Sequence, residues 1–216
     1  MHAPRSTYRA AVFDLDGTLI DSTEAIVEST ARALAELGWP TVPREVVQAH
    51  IGYKLEVIFP ERSFAERRRL IEVIGRHYSG VCEAGTRLHP GMGELVRDLA
   101  GRGVPLGIVT SKRRDHSEAI LKALGVRDRF RVLVGSEDVA RMKPDPEGLL
   151  RAVAALGVAP PECLYVGDTR VDVETARGAG VAVAGVGWGT DGLEALTAAG
   201  IDHAVTDADA LGPLLG

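Results

Sequence analysis

Two carboxylates, a glycine and a hydroxyl fall within five residues at Asp14-Leu15-Asp16-Gly17-Thr18, directly after the apolar run Ala10-Ala11-Val12-Phe13. A run of that kind reads as a buried strand. Paired aspartates at its end do not serve stability, because each charge costs desolvation energy unless a cation or hydrogen-bond donors compensate it. Chemistry is the better reason for them. Asp14 and Asp16 share a face in strand register, and Gly17 lets the chain turn so that both can flank one bound group. A calcium loop also begins Asp-x-Asp-Gly, but a strand precedes this one and its twelfth position is Ala25, where a bidentate glutamate is required.

Strand-like segments at 8–13, 104–109, 130–134, 163–166 and 181–186 alternate with helical patterning. This predicts an α/β fold, a doubly wound and mostly parallel sheet covered on both faces. In such sheets ligands bind beyond the carboxyl ends of the strands. Those ends supply Asp14 and Asp16, then Thr110-Ser111-Lys112, then Arg141-Met142-Lys143-Pro144, then Gly167-Asp168-Thr169 with Asp172 beyond. Hydroxyl, ammonium and carboxylates are what phosphoryl transfer on a hard cation requires. An ion-pair network built for stability has no use for such a surplus of carboxylates.

The helix signals are specific. Asp115-His116-Ser117-Glu118 reads as a capping box opening a helix to Leu124, which Gly125 stops. Asp145-Pro146 reads as a cap followed by proline at the first helical position. About ninety residues separate the first two strands, far more than a crossover needs, and their pattern is almost wholly helical. They predict an inserted helical domain at 20–86, with a core at 1–19 and 87–216. Within the insert, Asp21-Ser22-Thr23-Glu24 caps a helix to about Leu37 and Gly38-Trp39-Pro40 ends it. Shorter helices are expected near 45–49 and 55–59, and a longer one over 64–82. The chain returns through Leu88-His89-Pro90-Gly91, a turn suited to a hinge.

The chain has 216 residues, 45% of them hydrophobic, enough for one large or two small domains with a real core. No apolar run is long enough to span a bilayer and the first residues lack a signal-peptide core, so a cytoplasmic protein is expected. Cys82 and Cys163 lack Cys-x-x-Cys partners and read as core fillers. A net charge of −5 with 5% aromatic residues argues against nucleic acid and for a small substrate. Monomer and homodimer both stay open.

Taken in order, Asp14-x-Asp16-Gly17-Thr18, Thr110, Lys143-Pro144 and Gly167-Asp168 with Asp172 resemble the four motifs of the haloacid dehalogenase superfamily of aspartate-nucleophile hydrolases. The resemblance spans essentially the whole chain. The insert after the first motif is similar to the small helical cap of the phosphoglycolate phosphatase-like branch. The resemblance implies a Rossmann-like core and an Asp14 nucleophile that forms an aspartyl phosphate, with Asp16 as acid and then base. Thr110 donates to a phosphoryl oxygen, Lys143 supplies positive charge, and backbone amides near Gly17 and Ser111 assist. Several carboxylates crowd one lysine, and each close pair repels by about 4 kcal/mol at an effective dielectric near 20. A cation is therefore expected. Oxygen ligands and a phosphate substrate point to Mg²⁺, on the Asp14 and Asp168 carboxylates and, by resemblance, the Asp16 backbone carbonyl. Asp172, beyond Gly167, orients Lys143 or a metal-bound water.

Members that cleave carbon–halogen or phosphonate bonds lack an aspartate at the position of Asp16, so this chain resembles the phosphatases. β-Phosphoglucomutase-like members tend to carry a histidine on the first cap helix, where Ser22-Thr23-Glu24-Ala25-Ile26 stands here. In the cap loop Gly52-Tyr53-Lys54, Lys54 is a candidate for substrate contact, and Lys112 is another. Arg113 and Arg114 read as a solvated pair and Arg67-Arg68-Arg69 as a wet helix face. His50, His77, His89, His116 and His203 lack metal-ligand spacing. Gly185-Val186-Gly187-Trp188-Gly189 only loosely resembles a dinucleotide fingerprint and reads as a rim loop, with Trp188 packed or shielding the pocket. The expected reaction is Mg²⁺-dependent hydrolysis of a small phosphomonoester, phosphoglycolate first. Inorganic pyrophosphate is the alternative, since the run from Thr110 to Arg114 and Lys54 could neutralise a second phosphate. An idle metal- or phosphate-binding regulator predicts an eroded motif, and none is eroded.

Overall fold

The structure, a computed structural model, describes residues 8–53 and 55–216. Strand β1 (Ala10–Phe13) is buried at every residue, with Ala11 and Phe13 in one apolar layer and Ala10 and Val12 in the other. That division is the period-two alternation of a strand covered on both faces. β2 (Ile20–Asp21) follows, then helices α1 (Thr23–Glu36), α2 (Arg44–Gln48), α3 (Leu55–Ile58) and α4 (Phe64–Ser79), and the chain returns in β3 (Arg87–Leu88). Next come α5 (Met92–Gly101), β4 (Leu106–Val109), α6 (Arg114–Ala123), β5 (Val132–Val134) and α7 (Glu147–Leu156). The remainder is β6 (Cys163–Gly167), α8 (Arg170–Ala179), β7 (Ala182–Val186), α9 (Gly192–Ala199) and β8 (His203–Val205).

Six strands pair in parallel in the order β5-β4-β1-β6-β7-β8. Phe13 stands in register with Ile108 on one side and Val166 on the other. Their carboxyl ends therefore form one edge, and β1 sits where the strand order reverses, the place where such sheets bind ligands. Leu99 of α5 and Ile120 of α6 cover one face; Leu149 of α7 and Val173 of α8 cover the other. Helices α1 to α4 hold an apolar cluster of their own, including Leu34, Phe59, Leu70 and Val73. No helix among the described residues is long and apolar enough to cross a membrane.

Four features differ from expectation. β8 and the antiparallel ribbon β2–β3 are additional strands of three and two residues, too short to carry an alternation pattern. The expected box at Asp115 does not form, because Arg113 and the His116 amide engage the Asp115 carboxylate. Glu137 caps the Arg114 amide at 2.9 Å instead. Ser22 occupies the N-cap of α1 without capping it; Asp21 accepts from the Thr23 amide at 3.1 Å. Asp145 does cap α7, accepting from the Glu147 amide at 3.0 Å, with Pro146 one residue before the helix. Arg67 is not part of a wet face: its guanidinium donates to the carbonyls of Phe59 and Arg62. Cys82 and Cys163 are free and buried.

Candidate active site

Asp14, at the end of β1, is 4% exposed, and Lys143 is 8% exposed. The Lys143 ammonium lies 2.9 Å from Asp14 Oδ1 and 2.7 Å from Asp172 Oδ1, and reaches the Tyr165 hydroxyl at 3.3 Å. Its three donors are thus all engaged. Asp172, the capping-box acid of α8, accepts from the Asp168 amide, the Thr169 amide and the Thr169 hydroxyl on Oδ2. Its Oδ1 accepts from Lys143 and Tyr165. Burial pushes the Asp172 pKa up, but Lys143 and the Thr169 donors outweigh it and hold that carboxyl below the usual range. Asp168 accepts from the Thr18 hydroxyl and the Thr190 amide, each at 2.8 Å.

Asp14, Asp168 and Asp172 bring carboxylate oxygens within 4.8 Å of one another. Burial, and then the neighbouring carboxylates, push Asp14 well above the ordinary aspartate range despite Lys143. Burial and the charge of Asp172 push Asp168 to about 7. Three buried carboxylates against one ammonium make a set short of positive charge, and hard oxygen donors of this kind fit a divalent cation. Asp172 has spent its lone pairs on five donors, so Asp14 and Asp168 are the pair with oxygens to offer. The walls around Asp168 are glycine by necessity. A Cβ on Gly17, where φ is +82°, would lie 2.2 Å from Asp168 Oδ2, and one on Gly189 would lie 2.2 Å from Asp168 Cβ.

Asp16 is turned away from this cluster. Its Oδ1 lies 3.0 Å from the Lys112 ammonium and accepts from the Ser22 hydroxyl. Thr110 is 5% exposed; its hydroxyl oxygen accepts from the Lys112 amide at 3.1 Å, which leaves its own proton to be donated. The Gly17 amide is engaged with the Ile20 carbonyl at 2.9 Å, so Gly17 supplies space beside Asp168 and no donor. Ser111 is half-buried next to Thr110. Lys54 lies outside the described residues.

The model of the haloacid dehalogenase-like hydrolases matches residues 11–186, the stretch that carries Asp14, Asp16, Thr110, Lys143, Asp168 and Asp172. The chain belongs to that family. It is 33% identical to the phosphoglycolate phosphatase of Shigella boydii serotype 4 (strain Sb227) over 96% of this chain and 92% of that protein. The phosphoglycolate phosphatase of Yersinia pseudotuberculosis serotype I (strain IP32953) is 31% identical over 96% and 93%. Among solved structures, a haloacid dehalogenase-like protein from Bacteroides fragilis superposes with a TM-score of 0.88 at 31% identity, covering 96% of this chain and all of that one. A Pseudomonas syringae hydrolase gives 0.80 at 28% identity, covering 94% of each. The chain is a phosphatase that hydrolyses phosphoric monoesters.

Within this dehalogenase-like site, three contributors lay outside the sequence reading: Ser22, Tyr78 and Tyr165. Tyr165 carried a signal, since a tyrosine in an otherwise apolar buried strand needs a partner for its hydroxyl. Arg113 and Arg114 are exposed and paired with Asp115 and Asp138. Trp188 packs against the apolar layer and donates its indole N–H to the Thr18 carbonyl at 3.0 Å.

Proposed function

We propose that this phosphatase uses Mg²⁺ and an Asp14 aspartyl phosphate to hydrolyse a short anionic phosphomonoester, phosphoglycolate. The observation that carries the reading is the division of labour between the two aspartates. Asp14 lies in the cation-poor cluster with Lys143, while Asp16 lies apart from it, among donors. Asp14 is the nucleophile and attacks phosphorus. Lys143, fixed by Asp172 and Tyr165, offsets charge on the equatorial oxygens, and Thr110 donates its proton to one of them. Asp16 delivers a proton to the departing alkoxide and later takes one from the water that opens the acyl phosphate. Mg²⁺ held by Asp14 and Asp168 would add positive charge at the same oxygens and relieve the repulsion between the carboxylates.

Asp14, Thr110 and Lys143 are only 4–8% exposed, so movement of the inserted helices is the route by which a phosphoester would reach them. The inserted helices are therefore a mobile cap that opens to admit substrate and closes to exclude water. A cleft of about 640 Å³ beside α1 and α2, walled by Gly17, Trp188 and Gly189, marks where cap and core part on one side. Pyrophosphate is less favoured because Arg113 and Arg114, two of the cations that could meet a second phosphate, are paired at the surface. The names of the relatives agree with phosphoglycolate. The test is phosphate release with Mg²⁺ from phosphoglycolate, pyrophosphate, sugar phosphates and nucleoside monophosphates, with Asp14→Asn as blank. Phosphoglycolate leading in kcat/KM is the expected result; another compound well ahead of it overturns the substrate, and unchanged rates with a chelator overturn the metal.

A further inference from the structure

Lys112 is the second buried cation of the site, its side chain 8% exposed, and the phosphoryl chemistry does not use it. An ammonium has three donors. One meets Asp16 Oδ1 at 3.0 Å and one the Tyr78 hydroxyl at 2.8 Å. The third has no partner among the described residues. The ammonium also stands 4.3 Å above the Tyr78 ring, which fixes it against the face of that side chain. Tyr78 comes from the last turn of α4 in the inserted helices, yet it is 4% exposed and packs in the apolar layer of the core sheet. Next to it the Ser79 hydroxyl and His116 Nε2 are 2.8 Å apart, a second bond across the same seam.

The position of this ammonium decides what it can touch. The leaving oxygen has to reach Asp16, so whatever the leaving alcohol carries is held within a few ångströms of Lys112. We propose that Lys112 and Tyr78 form a leaving-group subsite, completed only when α4 lies against the core, that selects phosphomonoesters whose alcohol bears a carboxylate. The proposal rests on the phosphatase reading above and sharpens it: the unpartnered donor of Lys112 takes the carboxylate, and Tyr78 holds the ammonium in place for it. A single cation with one open donor suits a carboxylate better than a second phosphate. Tyr78 acts through Lys112 and is a positioning residue.

The experiment compares phosphoglycolate with 2-hydroxyethyl phosphate, which has nearly the same size and a neutral alcohol, in the full-length protein with Mg²⁺. A charge-assisted hydrogen bond is worth about 10- to 100-fold in kcat/KM, so the natural chain is expected to prefer phosphoglycolate by about that factor. Lys112→Met collapses the ratio to about one, and Lys112→Arg restores part of it. Tyr78→Phe, which keeps the ring and the packing, lowers the ratio several-fold through KM for phosphoglycolate alone. Equal losses on both substrates in Lys112→Met would show that Lys112 serves only Asp16 and overturn the subsite, as would a natural chain indifferent to leaving-group charge. A natural chain that prefers a different carboxylate-bearing ester, with that preference abolished in Lys112→Met, overturns phosphoglycolate and leaves the subsite standing.

Discussion

Lys143 and Lys112 are both buried ammonium groups beside an aspartate of the first motif, and they are built differently. Lys143 is enclosed by Asp14, Asp172 and Tyr165, all from the core, with every donor engaged. Burial works against its charge, but the two carboxylates outweigh burial and raise its pKa well above the usual lysine range. Lys112 has one carboxylate, one hydroxyl from the inserted helices and one donor to spare. Burial opposes its charge too; Asp16 and then Tyr78 prevail and raise its pKa. The first site is built from core residues alone. The second draws Tyr78 from the inserted helices. A reaction whose chemistry is common to many phosphoesters can thus reside in the core, with the choice among them made at the seam.

Substitutions at the core site should break that division most severely. Asp14→Asn is expected to lower phosphate release by about 10⁴-fold or more on every substrate, because an amide replaces the carboxylate proposed to attack phosphorus. Turnover within tenfold of the natural chain would remove Asp14 from its role. Lys143→Met is expected to cost about 10³-fold in kcat, again without regard to the leaving group. It also leaves Asp14 and Asp172 buried without their cation, a loss of about 3–5 kcal/mol of stability that thermal unfolding would register. An unchanged Tm would mean that the two carboxylates are not ionised together.

The carboxylates make a further prediction, in pH. Asp168 sits at about 7 in the metal-free chain, and Asp14 is raised as well, both first through burial. In the unfolded chain each aspartate titrates near the ordinary value of about 4. Between these values the folded state holds more protons than the unfolded one, so this contribution to stability is complete below about pH 4 and is lost as pH rises through 7. Mg²⁺ bound as proposed would favour the ionised forms and so act in the opposite sense. Saturating Mg²⁺ should raise Tm little near pH 5 and by several degrees near pH 8, with Asp168→Asn blunting the response. A Mg²⁺ effect independent of pH would place the ion elsewhere.

Much of this was legible in the residues because a charged group after a buried apolar run is conspicuous. Asp14, Asp168 and the Thr110 and Lys143 loops announce themselves by following strands, and parallel pairing then places those ends along one edge. Other groups were hidden by having a plainer reading. Ser22 looks like a helix cap, and only the fold shows its hydroxyl turned to Asp16 while Asp21 takes over the cap. Tyr78 looks like one more residue of an Arg-rich helix; its use depends on how the inserted helices dock, which is a long-range fact with no local pattern. The short strands β2, β3 and β8 owe their state to the neighbours they pair with, and two or three residues hold no periodicity to detect.

The smallest predicted effect tests whether the seam has a part that is closure alone. Tyr53 donates its hydroxyl to Asp191, with oxygens at 2.6 and 2.8 Å, and burial followed by that carboxylate pushes the phenol up to about 12. Asp191 adjoins Thr190, whose amide bonds Asp168, so this contact ties the cap to the loop that holds the candidate metal ligand. It is remote from Asp16 and Lys112 in role, since Asp191 touches neither. Asp191 also accepts from the Arg170 amide at 2.7 Å and from its guanidinium, so Tyr53→Phe removes one bond without leaving a charge unpaired. The cost to the closed state is then about 1 kcal/mol, or roughly fivefold in the closing equilibrium. Loss in kcat/KM should stay within that factor and fall equally on phosphoglycolate and 2-hydroxyethyl phosphate, where Lys112→Met separates them. A Tyr53→Phe variant that shifted the ratio between the two would move leaving-group recognition to the opposite side of the cap.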